Sequence, residues 1–225
     1  MPRQPARASP AERLVQQTVQ RDGEPPTVAF YGNASPFSNF HPAKIKVFGI
    51  VWPTSEHLFM AHKARFCDDR AVFDKILRAK TPAEAKRLGR KTKKYLDDGK
   101  SFVPFPVDQW NDVSYHIMVG ILQDKFSQNS DLMKQLLEVV VDEEGEPAPC
   151  KFAEVTAKDI RWGTGCDLDA YLRKEDIGTN YLGQALTEVR NKILMKSPRT
   201  RGRYAPASPA SPASPASPAS PASPA

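Results

Sequence analysis

This 225-residue chain has little to offer disulfide or metal chemistry. Its three cysteines, Cys67, Cys150 and Cys166, are an odd number with no Cys-x-x-Cys pair, which argues against a disulfide framework and a zinc cluster. Its four histidines form no metal motif, since His57 and His62 are five apart rather than the three or four that share a helix face. No structural metal and no cofactor are expected. No Gly-x-Gly-x-x-Gly or phosphate-loop string occurs, which removes the usual nucleotide-binding architectures. No apolar run approaches the roughly 18–20 residues of a membrane helix, so no membrane partner is expected. The start, Met1-Pro2-Arg3-Gln4-Pro5, has no apolar segment typical of secretion, and its prolines fit a transit helix poorly. The expectation is a reducing, cytoplasmic or nuclear setting.

Positive charge is also scarcer in the core than the total suggests. The net charge is +6, but residues 1–27 contribute +1 and residues 196–203 contribute +4, leaving +1 on the remainder. The basic balance is therefore weak evidence for a nucleic-acid-binding domain. The local exception is Lys86, Arg87, Arg90, Lys91, Lys93 and Lys94, six basic residues in nine. Such a run is ordinarily a solvated face; its other use is to follow phosphates. From Ser208 the triplet Ser-Pro-Ala repeats six times. It has no charge and no large apolar side chain to offset chain entropy, so 197–225 is expected to be a disordered, polyproline-like spacer. Residues 1–27 lack a sustained apolar pattern and are also expected to be disordered. That leaves 28–196 as one domain of ordinary size.

Within it, Val28–Tyr31 reads as a buried strand. Lys44–Phe48 alternates and returns through Gly49 into Ile50–Trp52, which predicts a hairpin. Thr54 or Ser55 caps a helix running to about Arg65, with Glu56 in its first turn. A helical stretch follows over 71–79. Thr81-Pro82-Ala83-Glu84 combines a cap, a proline at the first position and a capping-box glutamate. Asp108 caps the longest helix, with Trp110, Val113, Ile117, Ile121 and Leu122 on its apolar face. Helix 132–140, strand 151–155 and a last helix capped by Asn180 complete the pattern. The expected class is α+β, mostly helical, with a small antiparallel sheet and no alternating βαβ series.

Three places could carry chemistry. Glu56 and Lys63 are seven apart, which puts them on one helix face about 10.5 Å apart along the axis. A ligand of that span could touch both over Phe59 and Met60; the plainer reading is a helix-start acid and a solvated amine. Asp159-Ile160-Arg161-Trp162-Gly163-Thr164-Gly165 places a carboxylate beside a Trp-Gly turn. The indole could stack on a base and the glycines admit close backbone approach; otherwise Asp159 caps a turn around a buried Trp. Gly178–Gly183 could offer helix N–H groups to a phosphate; otherwise Asn180 simply caps.

Together these segments resemble the NADAR, or YbiA-like, family. The matching residues are Phe30-Tyr31-Gly32, Pro36-Phe37-Ser38-Asn39-Phe40, Trp52-Pro53-Thr54-Ser55-Glu56-His57 with Phe59, Ala61 and Lys63, then Gly89-Arg90, Trp110 and Met118. Phe152-Ala153-Glu154, Asp159, Trp162-Gly163, Asn180-Tyr181-Leu182-Gly183 and Arg190 follow. They run in order over about 165 residues. The resemblance implies an α+β fold and an N-glycosidase. Family members act either on phosphorylated riboflavin-pathway intermediates or on N-linked ADP-ribosyl-guanine in DNA or RNA. The chain departs from the family pattern at Val107-Asp108-Gln109-Trp110, which lacks a basic residue, at Met60, and in the long polar stretch Cys166–Ile177.

On that resemblance Glu56, Lys63 and Asp159 are the expected catalytic residues, with Glu154 in reserve. Gly32, Asn39, Phe40, Trp52, Ser55, Arg90, Trp162, Gly163 and Asn180 are the expected ligand-binding set. Trp52 and Trp162 would sandwich a base or ribose. Lys63 would hold a phosphate or sugar hydroxyl, or trap the opened sugar as a Schiff base. The expected partner is an ADP-ribosylated nucleobase, carried on DNA or RNA, or a phosphoribosyl small molecule. A pocket that binds ADP-ribose without turning it over is the remaining alternative.

Overall fold

A computed structural model describes residues 15–96 and 101–196. The Ser-Pro-Ala repeats and the first fourteen residues lie outside the described residues.

A three-stranded sheet has the order β1 (Gln16–Val19), β2 (Thr27–Phe30), β7 (Lys151–Glu154). β1 runs antiparallel to β2, and β7 runs parallel to it. The sheet is thus mixed rather than antiparallel throughout. β1 falls inside the stretch expected to be disordered; three of its four residues are exposed, so no alternation betrays it, and its order comes from pairing with β2. β2 is buried at every position, as a central strand covered on both faces should be. Hairpin β3 (Ile45–Val47) and β4 (Ile50–Trp52) turns through Phe48 and Gly49, at φ 49° and 79°. Positive φ at both central residues matches the twist of the strands, and glycine supplies one of them without strain. β5 (Lys94–Tyr95) and β6 (Phe102–Val103) form a small ribbon, the first half-buried and the second exposed.

Helix α1 (Ser55–Phe66) sits at the centre, packed against α2 (Arg70–Leu77), α3 (Pro82–Gly89) and α4 (Val107–Ser127). Its residues 55–61 are all buried, three of them polar. A helix buried on every side is a core element, and polar groups on it need partners. His57 has them: Nδ1 pairs with the Thr54 hydroxyl at 2.8 Å and Nε2 with the Ala79 carbonyl at 3.3 Å. The same Thr54 oxygen accepts the His57 N–H and caps the helix. At α3 the Thr81 hydroxyl accepts from Glu84 N–H while the Glu84 carboxylate accepts from Lys80 N–H.

Helix α4 begins one residue before the expected cap, so Asp108 lies in its first turn and makes no cap bond. Its buried face is Trp110, Ser114, Met118, Ile121, Leu122 and Lys125; Val113 faces out. Helices α5 (Ser130–Glu138), α6 (Leu168–Leu172) and α7 (Tyr181–Lys196) follow, and α7 packs on β7. Phe37 joins loop to sheet through edge-on contacts with Phe30 and Phe152 at 5.9 and 4.8 Å.

Candidate active site

Five separate pieces of chain converge on one cavity of about 80 Å³, one of them α4 through Met118. The first turn of α1 supplies Glu56, with Phe59 and Met60 below it. The loop before β3 supplies Asn39 and Phe40. The end of β7 and the turn after it supply Glu154, Asp159 and Trp162, and α3 supplies Lys86. The expected acids at 56 and 159 therefore meet, and the reserve acid at 154 joins them.

Each acid is held differently. Glu56 is buried, and its Oε1 has no hydrogen-bond partner. Its backbone N–H donates to the Asn39 carbonyl at 3.0 Å, which ties the loop to the helix start. Burial pushes its carboxyl up to about 7; Lys86 opposes the rise and Asp159 adds to it. Glu154 is likewise pushed up to about 7 by burial, again opposed by Lys86 and reinforced by Asp159 and Glu56. Asp159 Oδ1 accepts the Arg161 and Trp162 N–H groups at 3.1 and 2.9 Å, while Oδ2 faces Lys86 Nζ at 3.7 Å. One oxygen of Asp159 thus caps the turn, and the other faces Lys86 at the cavity.

The loop and turn are fixed from behind. Lys125 is fully buried and donates to the carbonyls of Pro36 and Ser38 at 2.6 and 2.9 Å, just before Asn39. Trp162 packs edge-on against Phe59 at 5.1 Å and near Tyr181 at 6.0 Å. Gly163 admits no side chain: a Cβ there would come within 2.6 Å of the Thr156 methyl and 2.9 Å of the Glu154 carbonyl. It is needed for backbone packing under the acids.

Several expected ligand contacts fall elsewhere. Trp52 is on the far side of α1, edge-on to Phe73 at 6.0 Å, and lines a separate apolar pocket of about 20 Å³. It cannot form a sandwich with Trp162. Asn180 has φ 53° and does not cap by its side chain. Its amide bridges the β7 backbone, accepting from Glu154 N–H at 3.1 Å and donating to Phe152 C=O at 2.9 Å. It holds Glu154 in place rather than lining the cavity. The first N–H groups of α7 donate to the Arg161 and Trp162 carbonyls at 3.1 and 3.0 Å, so they are not free for a phosphate. Ser55 is buried outside the cavity lining, and Gly32 is a half-exposed turn residue at φ 83°.

Lys63 does not line the cavity. Its Nζ stands 4.2 Å from the centre of the Phe105 ring, and burial with nearby Arg90 lowers its pKa while Glu56 raises it. Arg90 also acts on Glu56. Lys63 and Arg90 thus form a cationic pair beside the acids. Lys86 was hidden in the basic run. The signal that could have found it is the Thr81-Pro82 helix start, which fixes the register and puts Lys86 and Arg90 four apart on one face. Among the described residues no group of three or more His, Cys, Asp or Glu could hold a metal ion. None of the described helices is long and apolar enough to cross a membrane.

Comparison with known proteins bears on this arrangement. The NADAR domain family model matches residues 29–194. The chain is 31% identical over 195 residues to the N-glycosidase YbiA of Escherichia coli K12, covering 85% of this chain and 99% of that protein. It is 32% identical over 161 residues to a riboflavin biosynthesis protein of Vibrio vulnificus, covering 72% of this chain and 36% of that one. The NMR structure of E. coli YbiA superposes with a TM-score of 0.55 at 32% identity, covering 81% of this chain and 90% of that chain.

Proposed function

The chain belongs to the NADAR domain family, and from that premise we propose that it is an N-glycosidase that hydrolyses the C1′–N bond of an N-linked ADP-ribosyl-guanine in DNA or RNA, releasing ADP-ribose. The observation that carries the hydrolase reading is the buried Glu56 carboxyl, whose Oε1 has no partner, on the same cavity as Glu154 and Asp159, with two of the three acids pushed up to about 7. A buried acid without a partner costs stability, and such groups are retained where chemistry uses them.

Breaking the bond develops positive charge on the furanose ring, and the departing base needs a proton. Asp159, fixed by two N–H donors and facing Lys86, stabilises the ring charge. Glu56 draws a proton from the attacking water, and Glu154 in its protonated form supplies one to the base. Both acids have pKa values near 7, so one can be charged while the other is neutral at working pH. At about 80 Å³ the cavity is below the ~300–1,000 Å³ of typical small-molecule sites, so it takes the reacting sugar and little else. The rest of the substrate lies outside, its phosphates against Lys63 and Arg90. On this reading Lys63 binds phosphate and forms no Schiff base.

The second reading is an N-glycosidase for a phosphorylated riboflavin-pathway intermediate. Riboflavin biosynthesis names among the relatives favour it. Product analysis after incubation with ADP-ribosyl-guanine DNA, and separately with the riboflavin intermediates, decides between them. Free ADP-ribose from the first supports the principal reading. Release of base only from the second replaces it. Binding of ADP-ribose with no product from either would make the protein a reader. Borohydride trapping of an adduct at Lys63 would overturn its binding role.

A further inference from the structure

Buried polar atoms without partners occur at several places in the fold, but they are not equivalent. Trp52 Nε1 and Ser55 Oγ are enclosed away from the acid cavity. Glu56 Oε1 and Asn39 Oδ1 both lie on its wall. Asn39 is 7% exposed and Glu56 4%, so water cannot readily compensate either oxygen. The rest of the Asn39 residue is well used: its carbonyl accepts the Glu56 N–H at 3.0 Å, and its loop hangs from Lys125. The fold therefore ties this residue's backbone to Glu56 while giving its side-chain oxygen nothing to bind. Two acceptors without donors, on residues that line one small cavity, call for a ligand that presents donors there.

We propose that Asn39 determines sugar specificity by accepting a hydrogen bond from the ribose 2′-hydroxyl, while Glu56 serves the neighbouring anomeric carbon. This rests on the N-glycosidase reading. The adjacency of the residues matches the adjacency of the atoms: if Glu56 handles the water at C1′, the group next to it meets C2′. The hydroxyl bond also strengthens as positive charge builds on the ring, so it contributes in the transition state. A site built to bind a hydroxyl rejects the analogue lacking it, because its acceptor is left unpaired. The consequence is selective: the protein cleaves a riboside and spares the deoxyribosyl bonds of the DNA that carries it.

The test pairs a side chain with a hydroxyl. kcat/KM is measured for wild type and Asn39→Ala on an N-riboside and its 2′-deoxy analogue bearing the same base. The wild type is expected to favour the riboside, and Asn39→Ala to lose about tenfold on it but less than about threefold on the deoxy compound. Equal losses on both would overturn the proposal. Removing a side chain whose buried oxygen has no partner should leave the unfolding temperature unchanged or raised, which loss of a structural contact would not. Calorimetry on the wild type with ribose 5-phosphate and 2-deoxyribose 5-phosphate gives a readout independent of turnover. Preferential binding of ribose 5-phosphate with no hydrolysis would remove the N-glycosidase reading and keep the hydroxyl contact. Equal binding of the two sugars would overturn the contact itself.

Discussion

The protein buries charge in two contrasting ways. At one set of positions buried cations donate to backbone carbonyls, with only Arg190 Nη1 left without a partner. Lys125 donates to Pro36 and Ser38, and Arg190 donates through Nε and Nη2 to the carbonyls of Leu136, Leu137 and Val140 at 3.0, 2.8 and 3.3 Å. Lys125 has its pKa lowered to about 7 by burial, yet its bonds are made. These residues clasp a loop and the end of α5 to the core. In the cavity the opposite holds: Glu56 Oε1 and Asn39 Oδ1 have no partner, and two acids are pushed up to about 7. Unpaired buried atoms also occur singly elsewhere, at Trp52 Nε1, Ser55 Oγ and Arg190 Nη1; what sets the cavity apart is that two unpaired acceptors and two acids of raised pKa belong to the lining of one small space.

That contrast can be broken by substitution. Asp159→Asn keeps the oxygen that caps the Trp162 turn and removes the charge facing Lys86, so kcat should fall about 10²–10⁴-fold with an unchanged urea midpoint. Arg190→Met should do the reverse. It removes the side-chain donor from the Leu136 and Leu137 carbonyls, while Val140 keeps the Ala148 N–H, and should cost roughly 3 kcal/mol in urea unfolding, with turnover per folded molecule retained. The smallest effect belongs to Lys86→Met. Its ammonium holds both acids down, so removing it should move the pH–rate profile about half to one unit toward alkaline pH. A profile that moves toward acid, or not at all, would exclude Lys86 from the site.

Much of this was legible locally. Thr54 before Ser55-Glu56 fixed the start of the central helix, Thr81-Pro82 fixed α3, and Gly49 fixed the hairpin, since caps and turns are written in neighbouring residues. The likeness to one family brought the acids at 56, 154 and 159 to notice. What could not be read depends on partners distant in sequence. The parallel pairing of β2 with β7 joins Val28 to Phe152, and the exposed β1 has order only beside β2. Lys125 has the look of an ordinary last-turn lysine until its carbonyl partners, nearly ninety residues away, are seen. Asn180 sits where a cap is expected and instead mimics a strand edge. Trp52 was drawn toward the ligand by its neighbours in the chain, although it ends strand β4 and Pro53-Thr54 separate it from the helix that carries Glu56.

The most direct measurement is the stability and turnover of Glu56→Gln at pH 8, against wild type. In the unfolded chain this acid loses its proton near the ordinary 4.5, whereas the folded protein keeps it to about 7. The folded state binds the extra proton only between those values, so wild-type stability falls as pH rises from 4.5 to 7 and stays reduced above. A neutral glutamine escapes that penalty. The variant should be more stable than wild type at pH 8, by about 1–3 kcal/mol, while turnover drops at least about a hundredfold. A variant that is less stable, or one that still turns over normally, would contradict the account.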